Sequence, residues 1–292
     1  MALCKVYSDG NAWIGTYVCP NASLRPKKER KRRALTDLDQ DFRVLYQLAL
    51  ASGLYGKKSI KGFVLDNLRD KWGDLPELAA WVEMEIDREY RNFLKRKKRF
   101  NRKAFFNRWN YFCTFTYDST LMDEDTFRKK LRKCLSNLHT RRGWNYMGVW
   151  ERGEKGNRLH FHALVYIPEG EMIGGLFEQE YYDKKTHSRK KAVRNTFFDA
   201  RFGRSDFKRL TAEELRHGGV MDYLLKYMQK TGERIVYSRG IEMEEIVELS
   251  EDRIAFEYLD YVAKVMLFDN DAHFSKRIMM DEQTEKQFYF RC

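Results

Sequence analysis

Two histidines flank a phenylalanine in "NRLHFHALVYIP" (157–168), and further along "DYLLKYMQK" (222–230) interleaves two tyrosines with two lysines. The apolar run that follows His160 reads as a strand. Side chains of a strand alternate between its faces, so His160 and His162 point the same way. The longer stretch "NYMGVWERGEKGNRLHFHALVYIP" reads as two strands joined by a tight turn at Lys155 and Gly156. Pairing outward from that turn sets Glu151 opposite His160 and on the same face as His162, whereas Glu154 falls in the turn with the wrong parity. Two imidazoles and a carboxylate at one spot suit a divalent cation that keeps open positions, Mn²⁺ or Mg²⁺. Zinc would favour a third nitrogen or a sulfur. The competing reading is two histidines serving only as core or surface residues, and His-x-His spacing alone does not exclude it.

On a helix, Tyr223, Lys226, Tyr227 and Lys230 share one face, and Leu224, Leu225 and Met228 form another that packs on a sheet. A tyrosine hydroxyl is a poor nucleophile unless a neighbour stabilises its phenolate. A lysine one turn away supplies positive charge, and a metal at His160, His162 and Glu151 polarises a scissile phosphate. Taken together, these groups specify DNA transesterification through a covalent phosphotyrosine. An amphipathic helix with tyrosines and lysines on its solvent side is the plainer alternative. "YLDYVAK" (Tyr258, Tyr261, Lys264), in a segment that also reads as helical, shows that the spacing recurs.

The surrounding pattern supplies elements to hold these residues. "YFCTFTYD" (111–118) is aromatic and β-branched, a strand. "DEDTFRKKLRKCLSNLHTRRG" predicts an amphipathic helix with Phe127, Leu131, Leu135 and Leu138 on one stripe. Thr211 and Glu214 form a capping-box start, Gly218-Gly219 breaks the helical run, and "RIVYSRG" (234–240) reads as a closing strand. Residues 169–205 are charged and poorly periodic, an expected long loop or insertion. The order strand, helix, strand, strand, helix, strand predicts an α+β fold with a ferredoxin-like (RRM-like) antiparallel sheet and flanking helices.

Residues 1–105 read as a basic, largely helical accessory region, 106–241 as the domain with the chemistry, and 242–292 as a peripheral helical segment. The chain of 292 residues carries a net charge of +12, which points to a polyanionic partner, nucleic acid first and an anionic membrane second. Two basic runs are candidate DNA contacts: Arg25, Lys27, Lys28, Arg30, Lys31, Arg32 and Arg33, and then Lys95, Arg96, Lys97, Lys98 and Arg99. The aromatics Phe100, Phe105, Phe106 and Trp109 beside the second run favour that reading over a merely solvated segment. The five cysteines have no zinc-type or disulfide-framework spacing, no apolar run reaches a membrane span, and the N-terminus lacks a basic-then-apolar signal. A reduced protein of the cytoplasm is expected, or of the nucleus in a eukaryotic host, without membrane association.

"HFH" (160–162) resembles the His-hydrophobe-His motif of HUH endonucleases, "YFCTFTYD" resembles the first motif of their replication initiators, and "YLLKYMQK" looks like the third. The ordered set, over about residues 110 to 240, is similar to rolling-circle replication initiator (Rep) proteins with a paired-tyrosine motif, such as those of microviruses and plasmids. The resemblance implies a five-stranded antiparallel sheet with the histidines on its central strands and the tyrosine helix alongside. It implies nicking of single-stranded or hairpin origin DNA, with a 5′-phosphotyrosyl link and a free 3′-hydroxyl. Carried over, His160 and His162 are metal ligands, Tyr223 is the nucleophile, Tyr227 serves the termination step and Lys226 assists. A relaxase or a tyrosine transposase with the same chemistry is the near alternative. A non-enzymatic basic nucleic-acid-binding protein is the distant one. No G-x-x-x-x-G-K-[ST] occurs, so no nucleotide cofactor is expected, and a host helicase and polymerase are the implied partners.

Overall fold

Alternating burial along short aromatic strands builds the centre of this protein. The computed structural model describes residues 2–8, 10, 13–17, 34–54, 56–153, 158–183, 187–231, 234–249, 254–259 and 262–267. In chain order these form strands Ala2–Ser8 (β1) and Trp13–Tyr17 (β2), then helices Asp37–Ala51 (α1), Lys57–Trp72 (α2) and Leu78–Phe106 (α3). Next come Tyr111–Thr116 (β3), Glu124–Arg142 (α4), Asn145–Arg152 (β4) and Leu159–Tyr166 (β5). Leu176–Asp183 (β6), Ser188–Asn195 (β7), Thr196–Phe202 (α5) and Ser205–Arg209 (β8) follow. Ala212–His217 (α6), Val220–Thr231 (α7), Val236–Tyr237 (β9), Glu245–Leu249 (β10), Ile254–Leu259 (β11) and Val262–Leu267 (β12) complete the order.

The central sheet is antiparallel throughout, in the order β8-β3-β5-β4-β9. Inward residues on one face (Cys113, Phe115, Phe161, Ala163, Trp150 and Phe207) meet α4 and α5. Each of the fully buried phenylalanines contributes roughly 1.5–3 kcal/mol by leaving water. α4 starts where Asp123 accepts a hydrogen bond from Thr126 N–H at 2.8 Å and stops at Gly143, whose φ of 68° is the left-handed conformation that glycine favours. Its buried stripe is Phe127, Leu131, Leu135 and Leu138, as the periodicity predicts. The other face, with Met147, Val149 and Leu164, is covered by α3 through Phe100 and Ala104 and by α7 through Leu224, Leu225 and Met228.

Several expectations change. The segment 169–205 is ordered structure over its described residues: a two-stranded ribbon of β6 and β7, then α5. Its charges face outward on both sides of the ribbon, so no two-residue apolar alternation marked the strands. β8, a strand not foreseen, takes the sheet edge beside β3. Within the unit β3-α4-β4-β5-α5-β8 the strands therefore lie in the spatial order fourth, first, third, second. The expected closing strand is β9, only Val236–Tyr237, and it sits on the opposite edge beside β4.

The helical expectation for 242–292 fails wherever that segment is described, because β10, β11 and β12 are strands. They join β1 and β2 in a second sheet, ordered β10-β1-β2-β12-β11. Residues 1–105 are helical as expected from α1 to α3 but begin with those two strands. Phe100, Phe106 and Trp109 are core residues, 0%, 4% and 8% exposed, and so anchor α3 and its following turn instead of offering stacking platforms to DNA. Among the described residues no helix is long and apolar enough to cross a membrane, and Cys113 and Cys134 are free thiols.

Candidate active site

The hairpin register is the one read from the turn: Glu151 faces His160 and Val149 faces His162. On the far side of β5, Thr114 faces His162 and Thr116 faces His160. Each threonine hydroxyl lies 3.0 Å from the Nδ1 of its histidine, so both imidazoles are fixed from the same side. His162 is buried, and its Nε2 lies 2.5 Å from Oε2 of the equally buried Glu151, its diagonal neighbour across the hairpin. Nε2–H donating to Glu151 while Nδ1 accepts the Thr114 O–H is the tautomer that satisfies both contacts.

His160 is half-buried. Gly153 leaves it room, since a Cβ there would stand 2.9 Å from its Nε2. Burial, and then its neighbour His162, hold the His160 imidazole below the usual histidine range, which favours the neutral form with a lone pair to donate.

α7 brings the tyrosines to the same spot. The Tyr223 hydroxyl is 3.4 Å from His162 Nε2, its ring meets the imidazole edge-on with centroids 5.1 Å apart, and it stays 38% exposed. Tyr227 stacks on His162 at 5.6 Å and meets the Tyr223 ring edge-on at 4.6 Å. Phe112, one strand away, packs on both His162 and Tyr223.

Burial raises both phenols above the ordinary tyrosine value, but their hydrogen bonds act in opposite senses. The bond with Tyr227 lowers Tyr223, whereas the bonds with Tyr223 and Glu151 hold the proton on Tyr227. The pair is therefore unequal, and Tyr223 is the more readily ionised.

Lys226 is exposed on α7 with its Nζ 5.9 Å from the Tyr227 ring centre, and Lys230 lies on the same helix, its side chain outside the described residues. Residues Arg25, Lys27, Lys28, Arg30, Lys31, Arg32 and Arg33 also lie outside them. Lys95, Lys97, Lys98 and Arg99 are exposed on α3, with Arg96 half-buried, in the helical layer that includes α7. The competing tyrosine motif dissolves, because residues 258 and 264 stand on β11 and β12 and not on a helix. Residue 261 is outside the described residues.

Four residues of the site escaped the sequence reading. Thr114 and Thr116 were visible only as part of a β-branched strand, although their own two-residue spacing matches that of the histidines. Arg204 and Asp206 belong to the unforeseen edge strand and the turn before it. Gly203, with φ of 102° and no room for a Cβ (2.9 Å from the Thr116 carbonyl oxygen), lets the chain approach β3 closely. Thr116 N–H then donates to the Arg204 carbonyl at 2.8 Å. The exposed Arg204 guanidinium lies 4.7 Å over the Tyr181 ring of β6 and bears electrostatically on His160. Burial pushes the Asp206 carboxyl up, against the pull of Arg204.

Among the described residues no group of three or more His, Cys, Asp or Glu side chains stands ready-made to hold a metal ion. Glu151 and His162 close on each other, and His160 turns its Nε2 towards Gly153. The donor chemistry nevertheless fits a divalent cation: in the other tautomer each Nδ1–H donates to its threonine hydroxyl and each Nε2 has a lone pair to offer, beside a carboxylate.

A central antiparallel sheet with paired histidines on one strand and paired tyrosines on a helix against them defines a class, and sequence comparison points the same way: residues 110–232 match a family of rolling-circle replication initiators. The family is that of Replication-associated protein ORF2, and the match runs from the residue before β3 to just past α7, so it encloses every group of the site described above. No curated protein and no solved structure matches the chain.

Proposed function

We propose that this protein is a metal-dependent nicking and joining enzyme for single-stranded or hairpin origin DNA, which starts and ends rolling-circle replication. The observation that carries the reading is the Tyr223 hydroxyl at 3.4 Å from His162 Nε2, inside the cluster formed by Glu151, His160 and Tyr227.

Tyr223 Oη attacks the scissile phosphorus, forming an O–P bond as the bond to the 3′-oxygen breaks. The phenolic proton leaves to the Glu151 carboxylate or to solvent, and the 3′-oxygen takes a proton from solvent to become a free hydroxyl. The 5′-phosphate remains on the tyrosine. Lys226 and Arg204 flank the tyrosines and the histidines respectively, where cations steady charge on the non-bridging oxygens. Tyr227, whose hydrogen bonds keep it protonated through the first step, serves a second transfer that rejoins the strand. Glu151, His160 and His162 would hold Mn²⁺ or Mg²⁺, which when bound supplies Lewis-acid polarisation of the phosphate. Unwinding and synthesis fall to a host helicase and polymerase.

The test is incubation of the full chain with a panel of labelled single-stranded oligonucleotides and Mn²⁺, followed by denaturing electrophoresis. A protein–DNA adduct that survives SDS and disappears with EDTA is expected. Adducts absent across the panel would return the chain to a non-catalytic nucleic-acid-binding role.

The threonines give an independent check. Replacing Thr114 and Thr116 by valine preserves shape and strand propensity but frees both Nδ1 atoms. Calorimetric titration with Mn²⁺ should show affinity lower by about 10- to 100-fold, the usual cost of losing groups that orient a ligand. Unchanged affinity would remove the threonines from the metal's account.

A further inference from the structure

The reverse face of the central sheet carries a cationic groove that the tyrosine chemistry does not use. Strand alternation sends His160 and His162 towards α7 and Phe161 towards α4, so the outer side of α4 looks away from the tyrosines. Between α4 and α5 lies an open groove of about 890 Å³. Lys130, Lys133 and Arg141 line it from α4 and Arg201 from α5. None of these four has an ion-pair partner among the described residues. The one carboxylate that lines the groove, Glu171, is already paired with Arg142 at 3.0 Å. A solvated helix surface normally intersperses its charges with acids, and α4 has its only acids, Glu124 and Asp125, in the first turn.

Inside the groove the Arg201 guanidinium lies 3.9 Å over the half-buried Phe197 ring, a flat cationic platform beside apolar surface. Cations on the walls and an aromatic, apolar floor match a nucleic-acid strand whose base faces are exposed. A duplex keeps its bases stacked inside and would leave the floor unused.

We propose that this groove binds a second segment of single-stranded DNA, separate from the one at Tyr223. This rests on the reading of the chain as a DNA-processing enzyme. One sheet would then carry two strand sites, the cleavage site on one face and a holding site on the other.

The test compares wild type with Lys130→Gln/Lys133→Gln/Arg201→Gln, all surface positions whose neutralisation leaves the core intact, with thermal melting as the folding control. Fluorescence anisotropy with a thirty-nucleotide oligothymidylate should show at least about tenfold weaker binding. The slope of log affinity against log salt should shrink by about 2, at roughly 0.7 for each phosphate that a single strand no longer has neutralised. Adduct yield on the shortest oligonucleotide that the wild type cleaves should be unchanged. Unaltered affinity and slope would overturn the proposal. So would an equal loss for a duplex of the same length or for polyglutamate, which would make the groove a general polyanion or acidic-peptide surface. Binding to oligothymidylate needs no cleavage, so an inactive wild type would refute the nicking reading and leave this measurement decisive.

Discussion

Tyr223→Phe is expected to abolish the initial DNA adduct, by at least about three orders of magnitude, as removal of a covalent nucleophile does. The change deletes one oxygen and keeps the ring that packs on His162, Phe112 and Tyr227, so the fold and DNA affinity should persist. Tyr227→Phe should behave differently. It removes the hydrogen bond that lowers the Tyr223 phenol, so the first adduct should form more slowly yet still form, while rejoining of the nicked strand is lost. The asymmetry comes from the wiring: Tyr227 hydrogen-bonds to Glu151 as well as to Tyr223, and those bonds keep its proton in place. Should Tyr227→Phe alone eliminate the first adduct, the order of the two tyrosines is the reverse of the one proposed.

The second large effect is at the histidines. His162→Ala should remove Mn²⁺-dependent cleavage while leaving oligonucleotide affinity nearly intact, because the basic surface that supplies affinity persists. It should also destabilise the fold. His162 is 4% exposed and Glu151 6%, so the alanine leaves a carboxylate buried without its imidazole, at a cost of about 1–3 kcal/mol or more. Combining His162→Ala with Glu151→Gln removes the stranded charge and should restore part of the melting temperature without restoring cleavage. His160→Ala separates the two roles from the other side. That histidine is half-buried and its ring is hydrogen-bonded to the partly buried Thr116, so cleavage should fall with little loss of stability. Cleavage retained by both alanine variants would leave the imidazoles as structural residues.

The residues that do the proposed chemistry were legible because their spacing coincides with the period of the element that carries them. His160 and His162 share a strand face by the two-residue period, and the tight hairpin fixes Glu151 without any knowledge of the fold. Tyr223 and Tyr227 share a helix face by the same reasoning. What failed were elements whose stabilising partners are distant or whose surfaces are polar on both sides. β6 and β7 expose charges on each face, so nothing in the apolar pattern announced them. β8 is five residues long and is held as an edge strand by β3, far away in sequence. β10 pairs with β1, and β12 with β2, strands from the other end of the chain, an association that no local window contains. Thr114, Thr116, Arg204 and Asp206 were missed for the same reason, since their value lies in which strand lands beside β5 and β3. The aromatics after the second basic run misled in the opposite direction: Phe100 and Trp109 are apolar because they are buried, and charge next to them in sequence is not charge next to them in space.

The central claim is that Tyr223 carries the 5′ end of cleaved DNA. It is tested most directly by placing the label at one end or the other of a cleaved oligonucleotide, trimming the adduct with nuclease and mapping the modified residue by mass spectrometry. The account predicts that only the 3′-labelled fragment travels with the protein and that the nucleotide mass sits on Tyr223. A nucleotide on any residue other than Tyr223, Tyr227 included, or retention of the 5′-labelled fragment instead, would contradict it.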